Sequence, residues 1–331
     1  MVRRIEDLSA GEFIRWANSW GRRRCPFLFV IDYELRRFRA WPLDDVPSGV
    51  RFQVRGISNV SGAPSDPIRI LQRHPVAFDR YWQAFQQAQY HLQRGDTYLL
   101  NLTFPTEIVT TGGLRQIFDG AFAPYKLWMS GEMVVFSPEC FIRITDNVIR
   151  TFPMKGTADA SDPGSRAALL ANAKEEWEHA TVVDLLRNDL SMVAMHVRLR
   201  RYRYISEVRS AEGRLWQVSS EIEGILPSHW HNHVGELLIR LLPAGSISGA
   251  PKARTVEIIR RLEGQPRKWF TGIFGVYDGQ GLDSAVMIRF VERCSDGRLW
   301  FRSGGGITAW SDVRLEYEEM IRKVYLPVSP T

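Results

Sequence analysis

Long runs of strand-like segments, broken only by single helices, are the feature that most constrains how this chain folds. Residues 27–31 are apolar throughout, whereas residues 50–54 alternate apolar and polar side chains as a half-buried strand does. Similar runs return at residues 97–104, 126–151, 197–208, 215–225, 272–277, 284–292 and 299–303. Helical patterns interrupt these runs one at a time, without regular βα alternation. The sequence therefore predicts an α+β fold with large antiparallel β-sheets.

The sequence makes more specific predictions about secondary structure for several segments. Apolar periodicity predicts helices at about residues 9–18, 75–94, 167–190 and 312–325, with further helices around Leu237 and Val256. Residues 133–136 and 141–144 are expected to form an antiparallel pair, and residues 284–292 a single strand. A stretch rich in Ser, Gly, Pro and Asn, residues 58–67, reads as a connecting loop. We expect residues 1–65 to pack as a short segment on a core formed by residues 66–331, in one structural unit.

Composition indicates a globular protein of a reducing compartment. The chain has 331 residues, of which 44% are hydrophobic and 24% charged, as is usual for soluble proteins. No apolar run approaches the roughly 20 residues of a membrane span, and the first residues do not resemble a secretory signal. The three cysteines, Cys25, Cys140 and Cys294, are scattered without metal-like spacing. Together these features predict a cytoplasmic protein that does not act at a membrane.

The net charge of +6 raises nucleic acid as a partner. Basic residues cluster at 22–24 and at 198–203, but the 37 acidic residues are distributed along the whole chain. No nucleic-acid-binding module is recognisable. A mild positive balance suits a small acidic substrate equally well, so no nucleic-acid partner is expected.

Small residues lead into a helix at Pro243-Ala244-Gly245-Ser246-Ile247-Ser248-Gly249-Ala250-Pro251-Lys252. Pro251 is suited to the first turn of a helix. Exposed backbone N–H groups before a helix are a place where anions bind. A Walker phosphate loop is excluded, because Ala250 and Pro251 separate Gly249 from Lys252. The stretch therefore predicts an anion-binding loop, with a plain loop-to-helix junction as the alternative.

Lys155 and Glu139 are candidates for catalysis. Lys155 lies in a turn of small residues after a strand, and Glu139 lies at a corner between strands. A lysine nucleophile must be a neutral amine, so burial or nearby cations must lower its pKa from about 10.4. A glutamate near a reacting hydroxyl can act as a general acid or base. A surface charge and a solvated turn residue are the alternatives.

Acidic pairs on two helices suggest a divalent cation site. Glu178 and Glu319 each follow another glutamate three positions earlier, Glu175 and Glu316, on the same helix face. Convergence of Glu178 and Glu319 would supply oxygen ligands for Mg²⁺. A surface ion pair between Glu319 and Lys323 would also explain the second group.

Two further features suggest that anions bind. Three consecutive glycines, Gly304, Gly305 and Gly306, allow backbone N–H groups to approach an anion closely. Arg289 interrupts an apolar strand and can clamp a carboxylate with two hydrogen bonds. The histidines at 229, 231 and 233 lack a nearby cysteine or carboxylate and are interpreted as a surface loop.

Taken in this order, the motifs resemble those of the chorismate-utilising enzymes, over about residues 75–325. The resemblance implies two layers of antiparallel sheet with helices outside, as in anthranilate synthase component I, and a site in the cleft between the layers. It implies Mg²⁺ on Glu178 and Glu319, with Glu175 and Glu316 behind them. The groups that resemble those holding the substrate are Ser246, Ser248, Gly275, Arg289, Gly304, Gly305, Gly306 and Lys323.

Within the family, Lys155 discriminates between reactions. Residues 153–157, Pro-Met-Lys-Gly-Thr, are similar to the Pro-Ile-Lys-Gly-Thr of the aminodeoxychorismate synthases, where anthranilate synthases have Ala at the lysine. This resemblance implies amination of chorismate at C4 for folate biosynthesis, with Lys155 as nucleophile and Glu139 as general acid–base. Isochorismate, salicylate and anthranilate synthesis are the alternatives.

The chain departs from the family pattern at two positions, and the resemblance implies one partner protein. Trp216 stands where many members have His, and Phe270 where Tyr is common. The N-terminal part is short beside members that bind tryptophan there, so no tryptophan site is expected. No glutamine amidotransferase is recognisable, so the resemblance implies that a separate glutaminase subunit delivers ammonia.

Overall fold

The computed structural model describes residues 5–60, 68–210 and 213–327. The strands are β1 (Ile5–Leu8), β2 (Phe27–Ile31), β3 (Phe38–Pro42), β4 (Val50–Val54), β5 (Ile57–Ser58), β6 (Ile70–His74), β7 (Leu99–Thr110), β8 (Tyr125–Met129), β9 (Met133–Ser137), β10 (Cys140–Thr145), β11 (Val148–Thr151), β12 (Met154–Asp159), β13 (Met195–Ser210), β14 (Gly213–Ile225), β15 (Gly249–Ala250), β16 (Ile273–Tyr277), β17 (Leu282–Val286), β18 (Phe290–Arg293) and β19 (Leu299–Ile307). The helices are α1 (Ala10–Arg22), α2 (Phe78–Gln93), α3 (Leu114–Gly120), α4 (Ser165–Ala171), α5 (Ala173–Ser191), α6 (Val234–Leu241), α7 (Lys252–Glu263) and α8 (Val313–Arg322).

The described strands form two sheets. The first has the order β1-β3-β2-β16-β17-β10-β11-β14-β12, with β13 added on β14. The second has the order β15-β7-β19-β18-β9-β8-β4-β5, with β6 added on β7. Neighbouring strands run antiparallel in both sheets, for example β16 with β17 and β7 with β19. The predicted fold class is confirmed.

Apolar side chains fill the space between the sheets and the space beneath the helices. Val30 and Phe274 of the first sheet pack with Phe52, Leu127 and Val135 of the second. On the outer face of the first sheet, α1 and α6 bury an apolar cluster. On the outer face of the second sheet, α2, α7 and α8 bury another. The helices therefore lie outside the two sheets, as predicted.

The predicted pairing of residues 133–136 with 141–144 is wrong. These segments are β9 and β10, and they lie in different sheets, so the chain turns a corner between them instead of forming a hairpin. A second corner connects β17 to β18, so the single strand predicted at 284–292 is two strands. The corners lie side by side, because the Phe136 amide donates to the Arg289 carbonyl and the Val286 amide to the Glu139 carbonyl. Local patterning cannot separate a sheet-to-sheet corner from a hairpin, since both join two apolar strands.

Other boundaries also differ from the predictions. The helix expected at 167–190 is divided into α4 and α5 at Asn172, whose side chain accepts a hydrogen bond from the Glu175 amide and caps α5. Lys155 lies inside β12 instead of in a turn after a strand, and residues 304–306 continue β19 instead of following it. Most of the loop expected at 58–67 lies outside the described residues. No described helix is both long and apolar enough to cross a membrane.

Candidate active site

A polar cavity of about 200 Å³ lies where the two corners meet β7, β12 and β19. Its wall includes eight of the predicted catalytic and substrate-binding residues: Glu139, Lys155, Ser246, Arg289, Gly304, Gly305, Gly306 and Lys323. These residues come from widely separated parts of the chain. The structure therefore gathers most of the predicted site around one cavity.

Lys155 enters the cavity from a bulge in β12. Met154 pairs with Ser219 and Thr157 with Gln217, so Lys155 and Gly156 together face one residue of β14. Gly156 has a φ of +77°, and an added Cβ there would lie 2.0 Å from a Glu175 carboxylate oxygen. The bulge thus needs glycine for its conformation and for the approach of Glu175.

The ammonium of Lys155 is paired with a carboxylate of α5. Its Nζ lies 2.6 Å from Oε2 of Glu178, whose side chain is 7% exposed. Burial alone would lower the pKa of Lys155, but Glu178, Glu319 and Glu316 together raise it above its ordinary value. Without further ligands, Lys155 is therefore charged.

Lys323 forms the second cationic contact. Its Nζ lies 2.7 Å from Oε1 of Glu319 and donates to the Gly304 carbonyl at 2.8 Å. Burial lowers the pKa of Lys323, and the charges of Lys155 and Arg289 act in the same direction, although Glu319 opposes them. The electrostatic coupling of Lys323 and Lys155 shows that β12 and the end of α8 bring their charged groups to the same place.

Three of the four glutamates, Glu175, Glu178 and Glu319, also influence one another. Burial and the charges of Glu178 and Glu319 raise the pKa of Glu175, while Lys155 opposes this rise. An added Cβ on Gly305 would lie 3.5 Å from Glu316 and 3.7 Å from Glu319. The carboxylates of α5 and α8 therefore converge beside the cavity, which the sequence could not show.

This donor set suits a hard cation that prefers oxygen ligands, such as Mg²⁺. Within the described residues, no group of three or more His, Cys, Asp and Glu side chains is spaced to hold a metal ion. The predicted ligands Glu178 and Glu319 instead contact Lys155 and Lys323. The magnesium site stays a prediction that rests on two carboxylates and their donor chemistry.

Glu139 and Arg289 enter the cavity from the two corners. Burial raises the pKa of the Glu139 carboxyl, although the hydroxyl of Ser246 donates a hydrogen bond to it and Arg289 and Lys323 favour its charge. Arg289 has a φ of +53°, and its guanidinium lies 4.8 Å from the ring centroid of Tyr325. Its Nε is buried with no hydrogen-bond partner among the described residues. A guanidinium whose Nε is buried and unpaired in this way is suited to an anionic ligand.

The glycines of β19 lie on a partly open strand edge. Gly304, Gly305 and Gly306 pair with Thr103, Leu102 and Asn101 of β7. On the other side, β18 pairs only with residues 299–302. Among the described strands, none pairs with Gly304–Gly306 on this side, which leaves backbone groups of β19 available to a ligand.

Two residues that were predicted to bind substrate do not line the cavity. Ser248 is 1% exposed and donates to the carbonyl of Ala244. Gly275 lies inside the first sheet, where an added Cβ would meet Ser284 at 2.5 Å. Trp216 is also absent from the described wall, and its ring lies 5.6 Å from the Arg166 guanidinium.

The stretch at 243–252 is not a simple loop before a helix. It forms a 3₁₀ turn at Gly245–Ile247 and then the short strand β15, with Pro251 as the residue that precedes α7. Only Ser246 and Ile247 of this stretch belong to the described wall. Lys252 instead forms an ion pair of 2.7 Å with Asp189.

The histidine segment also differs from the predicted surface loop, since His231 is buried and hydrogen-bonded to the Tyr277 hydroxyl.

A buried ion pair that the sequence analysis missed fixes the Ser246 turn. Arg267 and Glu263 are 1% and 4% exposed and lie 2.6 Å apart. Arg267 also donates to the carbonyls of Ile247 and Asn101, which connects the 3₁₀ turn to β7. Glu263 is the last residue of α7 and Arg267 lies beyond it, and a Glu and an Arg four positions apart are commonly a surface pair, so only burial reveals this one.

The comparison with protein families agrees with this geometry. Residues 49–328 match the model of the chorismate binding enzymes. The chain belongs to this family. It is 48% identical over 96% of its length to a Haemophilus influenzae protein called "Uncharacterized PabA-like protein", and it covers 96% of that protein. It is 33% identical over 74% of its length to "Aminodeoxychorismate synthase component 1" of Escherichia coli, of which it covers 56%.

Solved structures of chorismate-utilising enzymes share the fold. The chain resembles a Bacillus anthracis protein described as a putative 2,3-dihydroxybenzoate-specific isochorismate synthase, with a TM-score of 0.72, 20% identity and coverage of 97% of this chain and 89% of that one. It also resembles MenF, the menaquinone-specific isochorismate synthase of Escherichia coli, with a TM-score of 0.74 and 16% identity, over 97% of this chain and 82% of that one. At these identities the likeness concerns the fold alone.

Proposed function

We propose that this protein aminates chorismate at C4 and forms 4-amino-4-deoxychorismate, a precursor in folate biosynthesis. The observation that carries the proposal is the presence of Lys155 and Glu139 in the wall of one cavity. A lysine supplies a nucleophile, and a buried carboxyl group with a raised pKa supplies a proton. The relatives called aminodeoxychorismate synthase component 1 support the same reaction.

In the proposed reaction, the neutral amine of Lys155 bonds to C2 of chorismate. Both double bonds of the ring shift, from C1=C2 to C1=C6 and from C5=C6 to C4=C5, as the C4–oxygen bond breaks. Glu139 protonates the departing hydroxyl so that it leaves as water. Ammonia then bonds to C4, both ring double bonds shift back, and the C2–nitrogen bond breaks to release Lys155. The proton lost by ammonia restores the acid form of Glu139, so the protein is unchanged after each cycle.

Lys155 must lose a proton before it can react, because Glu178 stabilises its ammonium. Mg²⁺ on Glu178 and Glu319 would hold the ring carboxylate of the substrate, and its charge would favour the neutral amine of Lys155. Glu175 and Glu316 add negative charge behind these ligands. Arg289, Lys323 and the open edge of β19 are the groups that we assign to the substrate carboxylates.

We further propose that a separate glutaminase subunit in the cytoplasm supplies the ammonia. A glutaminase needs a reactive thiolate. Burial raises the pKa of Cys140 and of Cys294, so neither thiol is prepared for that role. Relatives carry the name "component 1", which fits a two-subunit enzyme.

Product analysis tests the proposal. The purified protein is incubated with chorismate, Mg²⁺ and ammonium at alkaline pH, and the products are separated by chromatography with mass detection. We expect 4-amino-4-deoxychorismate, and no product when ammonium is omitted. Isochorismate, salicylate or anthranilate as the main product would replace the proposal by one of those activities. No product in the presence of ammonium would indicate a subunit that only binds chorismate.

A further inference from the structure

Two exposed tryptophans touch one another beside the carboxylates. Trp177 and Trp310 are 40% and 69% exposed, and their rings meet edge to face with centroids 4.7 Å apart. Trp177 precedes Glu178 in α5, and Trp310 lies in the connection from β19 to α8. The contact therefore joins the two segments that carry the predicted cation ligands.

Hydrogen bonds connect the backbone around Trp310 to α2 and to the start of α8. Thr308 is buried, and its carbonyl accepts hydrogen bonds from the Gln89 side chain and the Ser311 amide. Asp312 then caps α8 by accepting from the amides of Arg314 and Leu315. Since this connection directly precedes α8, its position also determines where Glu316 and Glu319 lie.

The carboxylates of α5 and α8 repel one another. The negative charges of Glu178 and Glu319 act together on Glu175, whereas Lys155 attracts glutamates of both helices and offsets part of this repulsion. Like charges that converge from two segments push those segments apart to the extent that cations do not neutralise them, and here four glutamates face the two lysines Lys155 and Lys323. An edge-to-face pair of aromatic rings is an attractive contact without charge, so it opposes this separation.

We propose that Trp177 and Trp310 are positioning residues that hold α5 and α8 at the separation required for a divalent cation. Neither ring is a ligand, and each acts through the helix on which the glutamates lie. The proposal rests on the cation site of the proposed function. It does not depend on which product the enzyme makes from chorismate.

The test is a double-mutant cycle on the affinity for Mn²⁺, which serves as the probe for the cation site. Binding is measured by electron paramagnetic resonance on wild type, Trp177→Ala, Trp310→Ala and the double variant. We expect each single variant to bind Mn²⁺ about three- to tenfold more weakly, which is the effect of losing one aromatic pair. The double variant should be no weaker than the singles, because either substitution removes the same contact.

Two further variants separate positioning from general damage. Trp177→Phe keeps a ring in the pair and should retain Mn²⁺ affinity within about twofold of wild type. Trp82→Ala removes a tryptophan of α2 that is 46% exposed and should leave Mn²⁺ affinity unchanged. Thermal unfolding without metal should be close to wild type for every variant, since the altered side chains are exposed.

Unchanged affinity in either single alanine variant would overturn the proposal. So would a double variant whose loss equals the product of the two single losses, or a wild type that does not bind Mn²⁺. The proposed function fails separately, because a different chorismate product from the wild type would leave the Mn²⁺ cycle valid.

Discussion

The hydroxyl of Ser246 donates a hydrogen bond to Oε1 of Glu139 at 2.5 Å. This bond joins the 3₁₀ turn before α7 to the corner between β9 and β10. Ser246 and Glu139 are 107 positions apart in the chain. Ser246 was expected from the sequence to contact substrate, and its position in the cavity wall leaves that prediction open. Through this hydrogen bond, Ser246 also orients the carboxyl group of Glu139.

Ser246→Ala should change the pH dependence of the reaction. The Ser246 hydroxyl stabilises the charged form of Glu139, so its removal should raise a pKa that burial has already raised. Glu139 acts as an acid, and it would then keep its proton to higher pH. We expect the alkaline limb of the kcat profile to move to higher pH. A limb that moves to lower pH, or does not move, would show that Glu139 is not the acid.

Lys155→Ala should reduce formation of 4-amino-4-deoxychorismate by about 10³-fold or more, because no other group can form the bond to C2. The measurement is chromatographic product analysis with ammonium supplied. The control is Lys268→Ala, which removes an exposed lysine and should leave the rate near that of wild type. Activity close to wild type in Lys155→Ala would exclude Lys155 as nucleophile.

Gly156→Ala should inactivate the enzyme. The new Cβ would lie 2.0 Å from a Glu175 oxygen, in a backbone with a φ of +77° that disfavours alanine. The control is Gly131→Ala, where φ is +75° and nothing lies within 4 Å of the new Cβ. Both variants carry a backbone cost of about 1 kcal/mol, but only Gly156→Ala displaces Glu175. Equal activities of the two purified variants would contradict the role that we assign to this bulge.

Arg267→Met should destabilise the fold by about 3–5 kcal/mol, because it leaves the Glu263 carboxylate buried without its partner. The measurement is urea unfolding. Arg261→Met removes an exposed arginine that pairs with Glu257 on the same helix, and it should cost less than about 1 kcal/mol. Similar losses for both variants would mean that burial does not strengthen the Arg267 pair.

His231 should make the fold less stable as the pH falls. Burial lowers the pKa of this histidine to about 4, whereas in the unfolded chain it titrates near 6.5. Between these values the unfolded state binds the proton and the folded state does not, so stability falls from about pH 6.5 towards pH 4. His231→Gln should show a weaker fall in urea unfolding, while His233→Gln, on the exposed side of the same turn, should follow wild type. An unchanged pH slope in His231→Gln would show that His231 does not titrate between these values.

Local patterns predicted where strands and helices lie better than they predicted which strands pair. The periodicity of residues 75–94 identified α2, which spans Phe78–Gln93, because one apolar face repeats through the whole helix. The same reasoning joined residues 284–292 into one strand, since a corner between sheets leaves no break in the apolar pattern. The predicted pairing of residues 133–136 with 141–144 was wrong for the same reason, because the chain turns a corner between the two sheets there. The buried Arg267–Glu263 pair was missed because burial is a property of the packed molecule.

The sequence by itself determined the α+β class, the family and the chemical types in the site, because these depend on residue identity and local spacing. Only the tertiary structure decided which groups meet. Ser246 contacts Glu139 and Lys155 contacts Glu178 because two corners between the sheets and one bulge bring distant segments to a single cavity. Ser248 and Gly275 carry equally suggestive residue types but are buried elsewhere. Long-range packing sets these distances, and no local pattern encodes them.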